Sequence, residues 1–147
     1  METFCRKMSF GFVEGLPLYS ENCRDNFMAL QKYMVEETRL GIPVIITTEA
    51  LHGMAQDGAT IFPQNIALGS TFNPELAYRK SSAISEELHT AGIRQVLAPC
   101  IDVVRDLRWG RVEESYGEDP WLCAQMGLAE TKGYWNHHIS PMLKHYG

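Results

Sequence analysis

Cysteine is sparse and scattered in this sequence. Its four residues, Cys5, Cys23, Cys100 and Cys123, form no C-x-x-C pair and have no histidine at ligand spacing. That spacing excludes a zinc-finger pattern and gives no sign of a disulfide framework. Free or buried thiols are expected, and no metal or cofactor. Neither a G-x-G-x-x-G fingerprint nor a P-loop is present, which disfavours nucleotide binding. Basic residues never gather into a run, and the 13 Lys and Arg are outnumbered by 18 Asp and Glu. Nucleic acid is therefore not an expected partner, because binding it needs a basic patch to displace counterions. No apolar stretch approaches the roughly 20 residues of a membrane span, so no membrane partner is expected either. Met1 is followed by Glu2, Arg6 and Lys7 without an apolar core, so the chain shows no signal peptide, and the compartment stays open. Repeats and low-complexity tracts are also missing.

What is present is the composition of a folded globular chain, with 45 % apolar and 21 % charged residues among 147. That length suffices for one domain with a real core, spanning residues 1–147. Phe10–Val13 reads as a short first strand. Ser20 offers a cap for a helix from Glu21 to Thr38 with apolar Phe27, Leu30 and Met34, punctuated by Gly41 and Pro43. The β-branched run Val44–Thr48 reads as a strand buried on both faces. A loop over 49–72 follows. Asn73-Pro74 starts a helix that stops at Gly92, because Asn accepts an orphan N–H and proline has none to lose. Ile93–Pro99 is the next strand, and 100–118 the next loop. Asp119-Pro120 starts a helix to about Lys132, ended by Gly133, and Ile139–Leu143 is the last strand. Strands separated by helices should pair in parallel with right-handed crossovers. The expected class is α/β, either an open doubly wound sheet or a piece of a (β/α)8 barrel. A whole barrel takes about 250 residues, so this chain would supply roughly its first half.

In such architectures the loops leaving the C-terminal ends of the strands share one rim, where ligands bind. Three polar motifs fall there: Thr48-Glu49-Ala50-Leu51-His52-Gly53, the loop containing Arg105-Asp106-Leu107-Arg108-Trp109-Gly110-Arg111, and Lys144-His145. A carboxylate that accepts from hydroxyls, cations that donate to them and an aromatic face suit a neutral polyol. The same mixture would also suit a phosphate, and both readings stay open on the residues alone.

The strings RLGIPVIITTEALHG, FPQNIALGSTFNPEL, RDLRWGRVEESYGEDP and LKHYG resemble, in order and spacing, successive signatures of glycoside hydrolase family 3. The resemblance runs from about the first helix to the last residue. It implies the N-terminal portion of a catalytic (β/α)8 barrel, which the family follows with an α/β sandwich. It also implies retaining hydrolysis that releases terminal non-reducing β-D-glucose or β-D-xylose from a β-linked oligosaccharide or aryl glycoside. Glu49, Arg111, Lys144 and His145 fall where the family binds the −1 sugar. Many β-glucosidases of the family carry Asp where this chain has Glu49, and β-xylosidase-like members more often carry Glu, which leans the reading toward xylosides. The family's nucleophilic Asp and its acid/base Glu belong to later segments. The resemblance therefore places no catalytic residue in this chain, and the isolated chain is expected to be inactive.

Each motif also has a plainer role. Glu49 could cap a loop, His52 could hold its own loop, and Arg105 and Arg108 could tie theirs to Asp106, Glu114 or Asp119. Trp109 reads as loop packing, Asp119 as a helix cap and His137-His138 as a solvated turn. Two competing functions follow: a sugar-binding or structural module without chemistry, and a flavodoxin-like phosphate binder. Half a barrel would also leave strand edges and helix faces exposed, so self-association or only marginal stability is expected.

Overall fold

The computed structural model describes residues 10–14 and 23–145. The expected cap at Ser20 and start at Glu21 lie outside them, as does Cys5. By its contacts the chain divides into two compact units, residues 1–47 and 48–147.

In the first unit, strand β1 (Phe12–Val13) pairs in parallel with the start of β2 (Ile45–Thr48), placing Phe12 opposite Ile45 and Val13 opposite Ile46. Helix α1 (Cys23–Glu36) connects them. It buries Phe27 and Met34, which lie seven residues apart and so share one helical face. Gly41 takes a φ of 61° after the helix, a conformation that glycine adopts without a Cβ penalty. The side-chain amide of Gln31 both donates to the carbonyl of Val44 (2.7 Å) and accepts from its N–H (3.0 Å), tying α1 to the approach to β2. Ile46 and Thr47 of β2 are buried, but Ile45 is 40 % exposed, so the strand is not covered on both faces as its composition suggested. Ile45 shares its face with the buried Thr47, so the exposure lies at the start of the strand rather than along one face.

The second unit begins at Thr48, whose carbonyl accepts from the N–H of Leu97 (3.0 Å). Helix α2 (Asn65–Gly69) interrupts what the sequence suggested was one long loop. Five residues are too few to show a helical period, so only tertiary packing reveals it. Helix α3 (Pro74–Thr90) starts as expected, with the Asn73 side chain accepting from the N–H of Glu75 at 3.1 Å. It ends at Gly92 (φ 84°), where Gly92 donates to His89 and Ile93 to Leu88. Strand β3 (Gln95–Val96) pairs in parallel with β4 (Ser140–Pro141). Both are shorter than their apolar runs, yet bonding continues irregularly from Met142 to Val96 and from Lys144 to Pro99.

Helix α4 (Pro120–Trp135) is capped by Asp119, which accepts from the N–H of Leu122 at 2.7 Å. It does not stop at Gly133. A Cβ there would lie 1.9 Å from Ser81 Oγ and 2.4 Å from the carbonyl of Tyr78, so this glycine is where α4 presses on α3 rather than where α4 ends. Between the helices Ala77, Tyr116, Leu122, Cys123 and Met126 form a buried cluster. No helix among the described residues is long and apolar enough to cross a membrane.

Candidate functional site

The strand ends and the loops that follow them build the polar rim of the second unit. Glu49 directly follows β2, and its carboxylate meets the ammonium of Lys144, which lies 2.8 Å from each oxygen. Lys144 is held on both sides of its backbone: its N–H donates to Pro99 (3.0 Å) and its carbonyl accepts from Ile101 (2.7 Å). Its side chain is 9 % exposed, whereas that of Glu49 is 52 % exposed. The pair therefore presents a carboxylate to solvent on a buried cationic stem. A carboxylate offers about four acceptor sites, so the two oxygens keep capacity for hydroxyl donors after binding one ammonium.

Arg111 precedes a 3-10 turn (Val112–Glu114) and forms two parallel bonds with Glu114, Nε to Oε1 at 2.5 Å and a terminal nitrogen to Oε2 at 2.7 Å. This fork fixes the guanidinium plane. The bond from Arg111 holds Glu114 below the usual carboxylate range against the opposing effect of burial, and the same bond raises Arg111. Glu114 is thus kept ionised, the opposite of what a general acid needs. Glu49, Arg111, Glu113 and Glu114 line one cavity of about 330 Å³, with Leu51, His52 and Gln64 completing its wall. That volume falls at the small end of small-molecule sites.

His145 sits beside this group on a second carboxylate. Its Nδ1 lies 2.8 Å from Asp102 Oδ2, and its backbone N–H donates to the same oxygen at 3.1 Å. The Cys100 thiol also donates to that oxygen, at 2.9 Å. Burial alone would raise Asp102, but the bonds from Cys100 and His145 outweigh it and hold the carboxyl low. Burial pushes the Cys100 thiol up to about 12, so it remains protonated and a poor nucleophile. Cys100, Asp102 and His145 bring three donor atoms within 4.8 Å of one another, the one group among the described residues that could converge on a metal. The half-buried Trp109 meets the ring of His145 in a T-shaped arrangement at 6.4 Å.

The structure thus brings Glu49 and Arg111 to one cavity and Lys144 onto Glu49, while His145 is anchored by Asp102. Arg108 ties back to Asp106, with a closest contact of 2.5 Å. The carbonyl of His52 accepts from Phe62 (2.7 Å), but its ring Nδ1 is buried without a partner, so the backbone and not the imidazole holds that loop. Two partners went unassigned in the sequence: Glu114 as the specific mate of Arg111, and Asp102 as the seat of His145. Four acidic residues within seven positions of Arg111 left its mate ambiguous, and Asp102 lies 43 residues from His145, beyond any local pattern.

Glycosyl hydrolase family 3 N terminal domain is the family description that matches residues 13–147. A β-xylosidase of Formosa agariphila is 38 % identical over 122 residues, covering 74 % of this chain and 17 % of that protein. A β-glucosidase of Erythrobacter marinus superposes with a TM-score of 0.83 at 32 % identity, over 92 % of this chain and 19 % of that one. The glucose complex of a β-glucosidase from Listeria innocua gives 0.76 at 32 % identity, over 90 % of this chain and 18 % of that one. The chain therefore spans less than a fifth of the length of these relatives. Its fold is α/β, part of a (β/α)8 barrel in which parallel strands alternate with helices. From residue 13 to its last residue, the chain belongs to glycosyl hydrolase family 3.

Proposed function

We propose that this chain supplies the −1 sugar subsite of a retaining β-glycosidase that removes terminal β-D-xylose or β-D-glucose. One observation carries the reading: the residues Glu49 and Arg111 line the same cavity of about 330 Å³, and the Lys144 ammonium lies 2.8 Å from the Glu49 carboxylate. On this reading Glu49 accepts hydrogen bonds from ring hydroxyls, Arg111 donates to them within the same cavity, and His145 is held by Asp102. Retaining hydrolysis needs a nucleophilic carboxylate and an acid/base about 5 Å apart. Glu114 is committed to Arg111 and kept ionised, so it serves binding rather than acid catalysis. On this reading the chain's own carboxyls serve binding, and no turnover is expected from it alone. The β-xylosidase and β-glucosidase names of its relatives support both sugars as candidates.

The test pairs two measurements on the chain. Nitrophenyl β-xyloside and β-glucoside should not be hydrolysed, while xylose and glucose should bind weakly and reversibly in an NMR titration. Turnover that survives purification and vanishes in Glu113→Gln would overturn the assignment of roles. Binding of phosphate in preference to either sugar would overturn the ligand class.

A further inference from the structure

Bonded to Leu51, which lines the cavity, is a buried charged cluster that this sugar-binding role does not use. Lys80 on α3 and Glu130 on α4 have side chains 4 % and 0 % exposed, and the ammonium lies 3.1 Å from Glu130 Oε2. Lysine and glutamate are almost never fully buried unless paired, and a buried pair is weak support for stability because desolvation offsets the attraction. Its retention calls for another account.

The remaining bonds of the cluster supply one. Lys80 Nζ has three protons and three acceptors: Glu130, the side-chain oxygen of Asn65 at 2.6 Å, and the backbone carbonyl of Leu51 at 2.8 Å. Glu130 also accepts from the hydroxyls of Tyr116 and Tyr134. The Tyr134 hydroxyl lies 3.2 Å from the carbonyl of Ala50 as well. Ala50 and Leu51 are the two residues after Glu49, and Asn65 follows Gln64. The cluster thus holds the backbone carbonyls of the turn after Glu49, of which Leu51 lines the cavity, and reaches the Asn65 side chain beside Gln64. Buried carbonyls need donors, and here the Lys80 ammonium supplies one to Leu51, while the single Tyr134 proton is shared between Glu130 and the Ala50 carbonyl.

We propose that Lys80, Glu130 and Tyr134 are positioning residues that clamp the turn after β2 and thereby hold the Glu49 carboxylate in its sugar-binding orientation. A side chain placed by rigid backbone loses less freedom on binding, so the effect falls on affinity more than on fold stability. The affinity consequence rests on the sugar-site reading above, whereas the clamping itself does not.

The experiment compares the full chain with Lys80→Met/Glu130→Leu and with Tyr134→Phe. The double variant removes both charges together and leaves neither unpaired. Tyr134→Phe deletes one hydroxyl and is the milder change should the double variant fail to fold. Deuterium uptake at the amides of residues 50–53 reports the clamp without any sugar, and a xylose titration by NMR reports the site. The expected result is a melting midpoint within about 5 °C of the parent, uptake at 50–53 at least about fivefold faster, and xylose affinity about fivefold weaker. Unchanged local uptake in a folded variant overturns the proposal, as does faster uptake with unaltered affinity in a chain that binds xylose. A parent chain that binds no sugar sinks the sugar-site reading instead, and the uptake result then decides the clamp alone.

Discussion

Lys144 and Glu49 lie 95 residues apart in the sequence, yet the ammonium of one rests 2.8 Å from both oxygens of the other. The arrangement orients the carboxylate and neutralises part of its charge while leaving it open to solvent. An isolated carboxylate would be mobile, and an isolated buried ammonium would be costly. Together they make a fixed acceptor, which is what recognition of a sugar hydroxyl requires.

Shortening the acid should alter sugar choice. Glu49→Asp withdraws the carboxylate by one methylene and frees room where a hexose carries its exocyclic CH₂OH. The ratio of glucose to xylose affinity should rise by about threefold to tenfold, measured by parallel NMR titrations. A ratio that stays fixed or falls would remove the basis for the xyloside preference.

The contact between α3 and α4 should tolerate no added carbon. Gly133→Ala places a methyl 1.9 Å from Ser81 Oγ and against backbone atoms that cannot rotate away. A loss of about 1–3 kcal/mol is expected from overpacking, read as a lowered urea midpoint. Gly58→Ala offers a contrast, because its added Cβ meets nothing within 4 Å and strains only a φ of 84°. Equal losses at both positions would contradict the close packing.

Acid should loosen the rim through two carboxyls. Asp102 and Glu114 both sit below their ordinary values of 3.8 and 4.5 in the folded chain. Their stabilisation is complete above those values and is lost as pH falls through the lower folded ones. Melting midpoints should therefore drop below about pH 4, and less steeply in Glu114→Gln and Asp102→Asn. Glu130, raised by burial, contributes in the opposite sense, so each variant is compared with the parent at the same pH. Parallel curves for parent and variants would refute the linkage.

Apolar surface on α4 should drive association. Trp121 and Trp135 are 70 % and 61 % exposed, and with Leu128 between them they recur every seven residues along one face. Sedimentation should show concentration-dependent oligomers. A monodisperse monomer with a sharp cooperative melt would count against it.

Local chemistry made much of this legible in the sequence. Asn73-Pro74 and Asp119-Pro120 announce helix starts because their caps act within three residues, and Gly92 marks a helix end through its positive φ. The motifs at strand ends pointed to Glu49, Arg111 and Lys144 because parallel strands deliver their following loops to one rim. Long-range contacts stayed hidden. Gly133 looked like a stop until Ser81 appeared against it, and α2 had too few residues to show a period. Lys80 was the overlooked signal. It falls among Ala77, Ser81, Ile84 and Leu88 on the inward face of α3, where a charge requires a partner that only the fold supplies.

The most direct measurement follows Glu49 Cδ, Arg111 Nε and Lys144 Cε together by NMR while xylose is added to the chain. The account predicts that all three resonances shift along one isotherm with a single dissociation constant, and that Glu49→Gln weakens it by about tenfold or more. Resonances that ignore the sugar, or that follow separate isotherms, would show that these groups do not share a binding site.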